Sequence, residues 1–423
     1  MGFQAMNKET LLRKIEGREA RVAVVGLGYV GSPLAGLIHE KGFRVEGIDA
    51  YTESPPPELD RLERFAFHDG FGVIEECDVV TICVPTPLTE NQTPDLSFVE
   101  AAVVGVAANF GDAARRADHP KLVVLESTTY PGTTTEVVKP GLEAFGLSLG
   151  EDFFLAHAPE RVDPGQTGHR VEEIPRVVGG SDTDSGELAE AFYRVLVGRV
   201  HRVSRPEVAE MSKLLENVFR AVNIALVNEI SLLCRRMGVD VWEVTDAAAT
   251  KPFGFMPFRP GPGMGGHCIP VDPFYLAWRA KQFGFYPEFI ELAGKINRQM
   301  PFHVVSWIAE ALNEKGLSVR DSRILVIGVT YKEDVTDLRE SPALRVIELL
   351  EERGADVAYH DSHVPSMEVG GRKYSSVELT EETLIACDCV VILTAHSDLD
   401  RDLVATHGGT VVDTRNALGR GGS

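Results

Sequence analysis

From Arg21 the chain alternates short apolar runs with glycine turns and amphipathic stretches. The segment "RVAVVGLGYVGSPLAGLIHEKGFRVEGID" predicts strand, glycine turn, helix and strand. "CDVVTICVP" (77–85), "KLVVLESTT" (121–129), "EDFFLAHAPE" (151–160) and "PRVVGG" (175–180) continue the rhythm. Strands alternating with helices predict a parallel, doubly wound sheet. The opening "MGFQAMNKETLLRKIEGREA" predicts a short helix ahead of the first strand.

At Arg205–Pro206 the pattern changes. No Gly or Pro interrupts Glu207 to Met237, and Val208, Met211, Leu215, Phe219 and Val222 recur at helical spacing. They predict a helix of about 30 residues, about 45 Å long, stopped by Gly238. Helix-like sequence continues to Asn297, broken by "PGPGMGGHCIPVDP" (260–273). After Pro301 the strand-to-loop segments "SRILVIGVTYKED", "ADVAYHDSHVP", "CDCVVILTAH" and "GTVVDTRN" bring the βα rhythm back. The expected fold class is α/β: two Rossmann-like doubly wound domains, 1–205 and 303–423, joined by a long central helix in a helical domain, 206–302. That helical segment reads as a spine and a dimer surface.

Composition narrows the class. A net charge of −21 argues against nonspecific binding to nucleic acid or anionic membranes. No continuous apolar run reaches the roughly 18 residues of a membrane span, and the start lacks an apolar signal core. The six cysteines are scattered without a CxxC pair, which suggests neither a disulfide framework nor a zinc ribbon. A soluble, reduced, cytoplasmic protein without nucleic-acid or membrane partners is expected.

Gly26, Gly28 and Gly31 form G-x-G-x-x-G between a strand and a helix, with Tyr29 and Val30 inside the turn. Asp49 ends the next strand, placed to accept from an adenosine ribose, which favours NAD over NADP. The plain alternative is an ordinary glycine turn with a surface acid. Thr86 and Thr128 follow later strands at their carboxyl ends, where ligands of open α/β sheets lie, although turn threonines often serve only the local backbone. Lys213 and Asn217 share one helix face among apolar positions, either as a snorkelling lysine and a capped amide or as an oxyanion site. In the interrupting loop, Gly261, Gly263, Gly265 and Gly266 permit tight turns, and Cys268, Pro270 and Asp272 follow. Cys268 is a buried inert thiol or a nucleophile beside an acid. Zinc held by His267, Cys268 and Asp272 lacks a fourth ligand and the usual spacing, so no metal is expected.

Taken in order, "VVGLGYVG", "STTYPGT", "APERVDPG", "AEMSKLLENVFRAVNIALVNE", "GGHCIPVD" and "VTYKEDVTDLRESPA" resemble the UDP-glucose/GDP-mannose dehydrogenase family over nearly the whole chain. The resemblance implies an NAD-binding domain, a dimerising helical linker and a UDP-binding domain. It implies oxidation of a sugar C6 alcohol to a carboxylate with two NAD⁺ in succession, in a homodimer or higher homo-oligomer. Cys268 then matches the catalytic thiol, Asp272 the base, Lys213 and Asn217 the helical pair, Thr128 the turn threonine and Glu160 the glutamate assisting hydrolysis. Arg161, Gly265, Lys332 and Arg415 fall among the nucleotide-sugar contacts. Two departures from UDP-glucose enzymes, Val271 in place of lysine and "PERV" with Arg161 and Asp163 in place of "PEFL", narrow the substrate, and the run "AAATKPFGFMPFRPGPGMGGHCIPVDPFYLAW" most resembles the UDP-N-acetylglucosamine branch. UDP-glucose and UDP-N-acetylmannosamine are the alternative substrates. A one-step NAD dehydrogenase and a catalytically silent nucleotide-binding scaffold are the rival functions.

Overall fold

The computed structural model describes residues 2–89, 91–111, 119–161, 171–266 and 269–419. The chain divides into two compact units: Met1–Glu216 with Phe274–Phe285, and Asn217–Pro273 with Tyr286–Ser423. The helical segment expected over 206–302 is thus shared between them.

The first unit is built on an eight-stranded sheet: β1 (Arg21–Val25), β2 (Arg44–Ile48), β3 (Phe65–His68), β4 (Val79–Ile82), β5 (Lys121–Leu125), β6 (Phe153–His157), β7 (Arg176–Gly180) and β8 (Val200–Val203). The spatial order is β3-β2-β1-β4-β5-β6-β7-β8. β1 lies between β2 and β4, so the order reverses beside Gly26, the position where open sheets of this kind take their ligands. The central strands are rich in Val, Leu and Phe and buried along their length, as a sheet covered on both faces requires. Val24, Ile38, Phe43, Phe154 and Phe192 lie in its core. One pairing departs from the expected parallel pattern: β6 and β7 are antiparallel, with Ala156 opposite Gly180 and His157 opposite Gly179.

The second unit holds β9 (Arg323–Ile327), β10 (Asp356–His360), the hairpin β11 (Ser366–Val369) and β12 (Arg372–Ser375), β13 (Cys389–Ile392) and β14 (Val411–Asp413). Its sheet has the order β10-β9-β13-β14 and is parallel throughout. One helix, Glu288–Glu314, runs through Pro301, so the strand rhythm resumes only at Arg323.

The long helix spans Pro206–Met237. It buries polar side chains alongside Ala209, Leu214, Ala221 and Ala225, and leaves larger apolar ones outside. Glu210, Lys213, Asn217 and Asn228 are buried, whereas Met211, Leu215, Phe219 and Leu226 are exposed at 43%, 62%, 45% and 54%. An 18-residue window of this helix reaches a mean hydropathy of 1.3, so by length and composition it meets the requirement for a membrane span, contrary to the expectation from the sequence. Scattered polar residues interrupt every apolar run, but the window average rises past them. Of the polar residues it carries inward, Glu210, Asn217 and Asn228 have protein partners, as described below.

Candidate active site

The glycine turn after β1 has three distinct geometries. Gly26 sits at φ 89°, and a Cβ there would lie 2.6 Å from the Cys83 carbonyl oxygen. At Gly31, which opens a ten-residue helix, a Cβ would lie 1.8 Å from the Gly26 carbonyl oxygen. Gly28 faces open space. These are the three demands of a dinucleotide turn: a tight bend, close helix–strand packing, and bare backbone where a pyrophosphate approaches. Val30 precedes the helix with no side chain capping it, and Tyr29 beside it is exposed. Asp49 Oδ2 accepts from Leu27 N at 3.0 Å and Oδ1 from Tyr51 N at 3.0 Å. Each oxygen keeps a second lone pair for a ribose hydroxyl. NAD fits this turn.

Thr86 and Thr128 meet directly. The Thr86 hydroxyl donates to the Thr128 carbonyl at 2.8 Å, and Ser127 Oγ donates to Val84 O at 2.7 Å. Thr86 is therefore a tie between the loops after β4 and β5, and its donor is spent on backbone. A second tie comes from the long helix. Glu210, 1% exposed, accepts from Gly132 N at 2.6 Å, Thr134 N at 2.9 Å and Thr134 Oγ1 at 2.7 Å. Burial outweighs these donors and pushes its carboxyl up to about 7.

Glu160 follows β6. Its Oε1 accepts from Arg161 N at 2.6 Å and its Oε2 from Arg176 Nη1 at 2.8 Å. The Arg161 guanidinium is committed to Glu216 (Nη2 to Oε1, 2.7 Å) and to Pro175 O (2.6 Å). A substrate group reaching Arg161 must compete with that ion pair. Asp163 lies outside the described residues.

Lys213 is 6% exposed, and no described residue accepts a hydrogen bond from its Nζ. A buried lysine paired with no acid suits an anion that arrives with a ligand or forms during reaction. One turn on, in the second unit, Asn217 Nδ2 donates to Asp272 Oδ2, and Arg220 Nη2 donates to Asn217 Oδ1. Asn217 and Asp272 are thus joined side chain to side chain, an arrangement the sequence spacing did not reveal.

The glycine-rich loop is seated by the second unit's own residues. Gly261 N donates to Asn228 Oδ1 at 3.0 Å, Asn228 Nδ2 to Asn297 Oδ1 at 3.0 Å, and Asn297 Nδ2 to Ala221 O at 3.1 Å. A Cβ on Gly261 would lie 2.6 Å from Arg415 Nη1, and one on Gly265 2.7 Å from the Glu340 carbonyl oxygen and from Tyr331 Cβ. Gly266 N donates to Arg339 O at 3.0 Å. The glycines therefore serve close packing against the segment that carries Lys332 as well as loop flexibility. Arg415 Nε donates to Leu393 O at 2.7 Å, and no described residue accepts from Nη1 or Nη2, which leaves the fork available for a phosphate. His267 and Cys268 lie outside the described residues. Asp334, His363 and His396 bring three donor atoms within 4.8 Å of one another. The His396 ring is already occupied, taking Asp334 N at 3.0 Å and pairing with Asp361 at 3.0 Å, so it ties loops and is not an open metal ligand.

Three family models match the chain: the NAD-binding domain (60–197), the central domain (207–299) and the UDP-binding domain (325–420) of the UDP-glucose/GDP-mannose dehydrogenase family. The chain is 37% identical over 396 residues to a UDP-N-acetyl-D-glucosamine 6-dehydrogenase of Pseudomonas aeruginosa, covering 90% of this chain and 92% of that one. Among solved structures it is similar to a UDP-D-ManNAc dehydrogenase of Pyrococcus horikoshii, with a TM-score of 0.82 and 33% identity over 95% and 96% of the two chains. It is also similar to an NDP-N-acetyl-D-galactosaminuronic acid dehydrogenase of Methanosarcina mazei Go1, with a TM-score of 0.78 and 30% identity over 97% and 94%.

Proposed function

Because the chain belongs to the UDP-glucose/GDP-mannose dehydrogenase family and is an NAD-dependent UDP-sugar dehydrogenase, we propose that it oxidises the C6 hydroxyl of a UDP-hexosamine, UDP-N-acetylglucosamine foremost, to the uronic acid. The observation that carries this reading is Lys213, buried without an acid partner among the described residues, one turn before Asn217 and its bond to Asp272. Binding alone requires neither a buried lysine without an acid partner nor an amide–carboxylate pair.

Bound NAD⁺ supplies the electron acceptor for each of two oxidations. Asp272, oriented by the Asn217 amide, takes the C6 hydroxyl proton, and Lys213 stabilises the charge developing on that oxygen. The Cys268 thiolate captures the aldehyde as a thiohemiacetal, whose oxidation leaves a thioester. Water positioned by Glu160 and Thr128 hydrolyses the thioester to the acid. Lys332 and Arg415 hold the UDP moiety, and Gly265 lies in the glycine-rich loop that precedes Cys268 in the sequence. Gly26, Gly28, Tyr29, Val30, Gly31 and Asp49 receive the dinucleotide, with Thr86 holding the neighbouring loop.

The exposed stripe Met211, Leu215, Phe219 and Leu226 supports a homodimer formed through the long helix; the enzyme is read as cytoplasmic. UDP-N-acetylmannosamine is the second reading, favoured by the similarity to the Pyrococcus enzyme. Incubation with NAD⁺ and UDP-GlcNAc, UDP-ManNAc, UDP-GalNAc or UDP-glucose, followed by product mass analysis, tests the proposal. The uronic acid of UDP-GlcNAc is expected as the main product; no NADH from any sugar would point instead to a scaffold.

A further inference from the structure

Beneath Glu160 lies a buried polar chain that none of the family motifs quoted above includes. Arg176 opens β7 at 7% exposure. Its Nη1 donates to Glu160 Oε2 at 2.8 Å and to Pro159 O at 3.0 Å; its Nη2 donates to Glu126 Oε2 at 2.7 Å. Glu126, fully buried just after β5, also accepts from the Tyr193 hydroxyl, and the Arg176 guanidinium lies 5.0 Å from the Tyr193 ring centroid. The topology creates this meeting. Extending the antiparallel register of β6 and β7 past His157–Gly179 sets Glu160 opposite Arg176. A parallel β7 would carry Arg176 to the other end of the sheet.

We propose that Arg176, braced from behind by Glu126 and Tyr193, is a positioning residue that fixes the Glu160 carboxylate for hydrolysis of the enzyme-bound thioester. The inference rests on the function proposed above. A guanidinium shared between two carboxylates holds each by a charge-assisted bond, and truncating it leaves both acids without their cation. Burial is the largest influence on Glu126 and pushes its carboxyl up to about 7, so the cation's charge is less fully claimed from behind. On the other side, the Arg161 N–H holds Glu160's second oxygen. The carboxylate is thus gripped on both oxygens. In the step it serves, the water oxygen bonds to the acyl carbon, the C–S bond breaks and the sulfur regains a proton. No electrons leave the system in this step.

The full-length enzyme is mixed with NAD⁺ and the UDP-sugar that wild type oxidises, following NADH by stopped flow and intact-protein mass after acid quench. Arg176→Met should still give a burst approaching two NADH per subunit. It should then turn over about 10²-fold more slowly than wild type, with a uronyl thioester accumulating on the protein. Glu160→Gln should behave alike, and Arg176→Lys, which keeps the charge but loses the fork, should fall between. The KM for NAD⁺ should stay unchanged. Adduct-free Arg176→Met protein, whether fast or slow in turnover, overturns the inference. If Arg176→Met does not fold, Glu126→Gln and Tyr193→Phe decide by the same adduct criterion. Absence of NADH from wild type with every UDP-sugar fails the proposed function itself, whereas wild-type NADH with adduct-free variants fails only this inference.

Discussion

Asp49 and Asp361 close the same turn in the two α/β units, with different consequences. In the first, Gly26 N donates to Ile48 O at 2.8 Å and Leu27 N to Asp49 at 3.0 Å. In the second, Gly328 N donates to His360 O at 2.9 Å and Val329 N to Asp361 at 2.8 Å. Both glycines have positive φ, 89° and 78°. Beyond that the turns diverge. Asp361 is 3% exposed and also takes His363 N, Val364 N and the His396 ring. Asp49 is half-buried and, among the described residues, accepts from Leu27 and Tyr51. Two residues past the bend, the first turn has Gly28 facing open space, while the second has buried Thr330 bonded to Lys332 O. The same turn thus leaves backbone open in the first unit and fills it in the second.

The comparison breaks most completely at the tightest glycine. Gly31→Ala puts a methyl group 1.8 Å from the Gly26 carbonyl oxygen, so it should abolish measurable NADH binding in a fluorescence titration and lower Tm by several degrees. Retained affinity would show that the turn relaxes. Asp361→Ala comes next. It leaves three backbone N–H groups and an imidazole without their acceptor, a loss of about 3 kcal/mol or more at the penalty for orphaned buried donors. Thermal melts should show that loss while NADH affinity stays within error. Asp49→Ala should give the reverse, roughly tenfold weaker NADH binding, about 1.4 kcal/mol, with little change in Tm. Identical profiles for the two variants would erase the distinction between open and filled turns.

The smallest expected effect is in acid. Burial raises the Asp361 carboxyl, but His396 and the backbone N–H groups outweigh it and hold it below the usual 3.8. The stability it contributes is present above that value and is lost as pH falls through the lower folded-state value. Asp361→Asn should therefore flatten the acid limb of the melting curve against wild type below about pH 4. An unchanged limb would remove Asp361 from the acid response.

What the sequence made legible was local. The glycine spacing, Asp49 and the helix Pro206–Met237 were readable because turn geometry and helical period are written in neighbouring residues. The helix's period did not say which face points inward. Met211, Leu215 and Phe219 lie outward because Glu210, Asn217 and Asn228 find partners on segments far away in sequence. Lys213 and Asn217 were visible as a helical pair, but the bond to Asp272 spans 55 residues and follows no periodicity. Arg176 was hidden for a further reason: its place depends on one antiparallel pairing in a sheet whose pattern reads as parallel. Gly261 and Gly265 were legible as flexible positions, whereas their packing against Arg415, Tyr331 and Glu340 needed the fold.

The central claim is that one enzyme carries a sugar alcohol through two oxidations without releasing the aldehyde. It is tested most directly by the ratio of NADH formed to UDP-GlcNAc consumed, measured in the same quenched samples for wild type and Cys268→Ser. The account predicts a ratio of two for wild type throughout the time course, and no sustained turnover to the acid in the variant. A wild-type ratio of one, with aldehyde in solution, would contradict it.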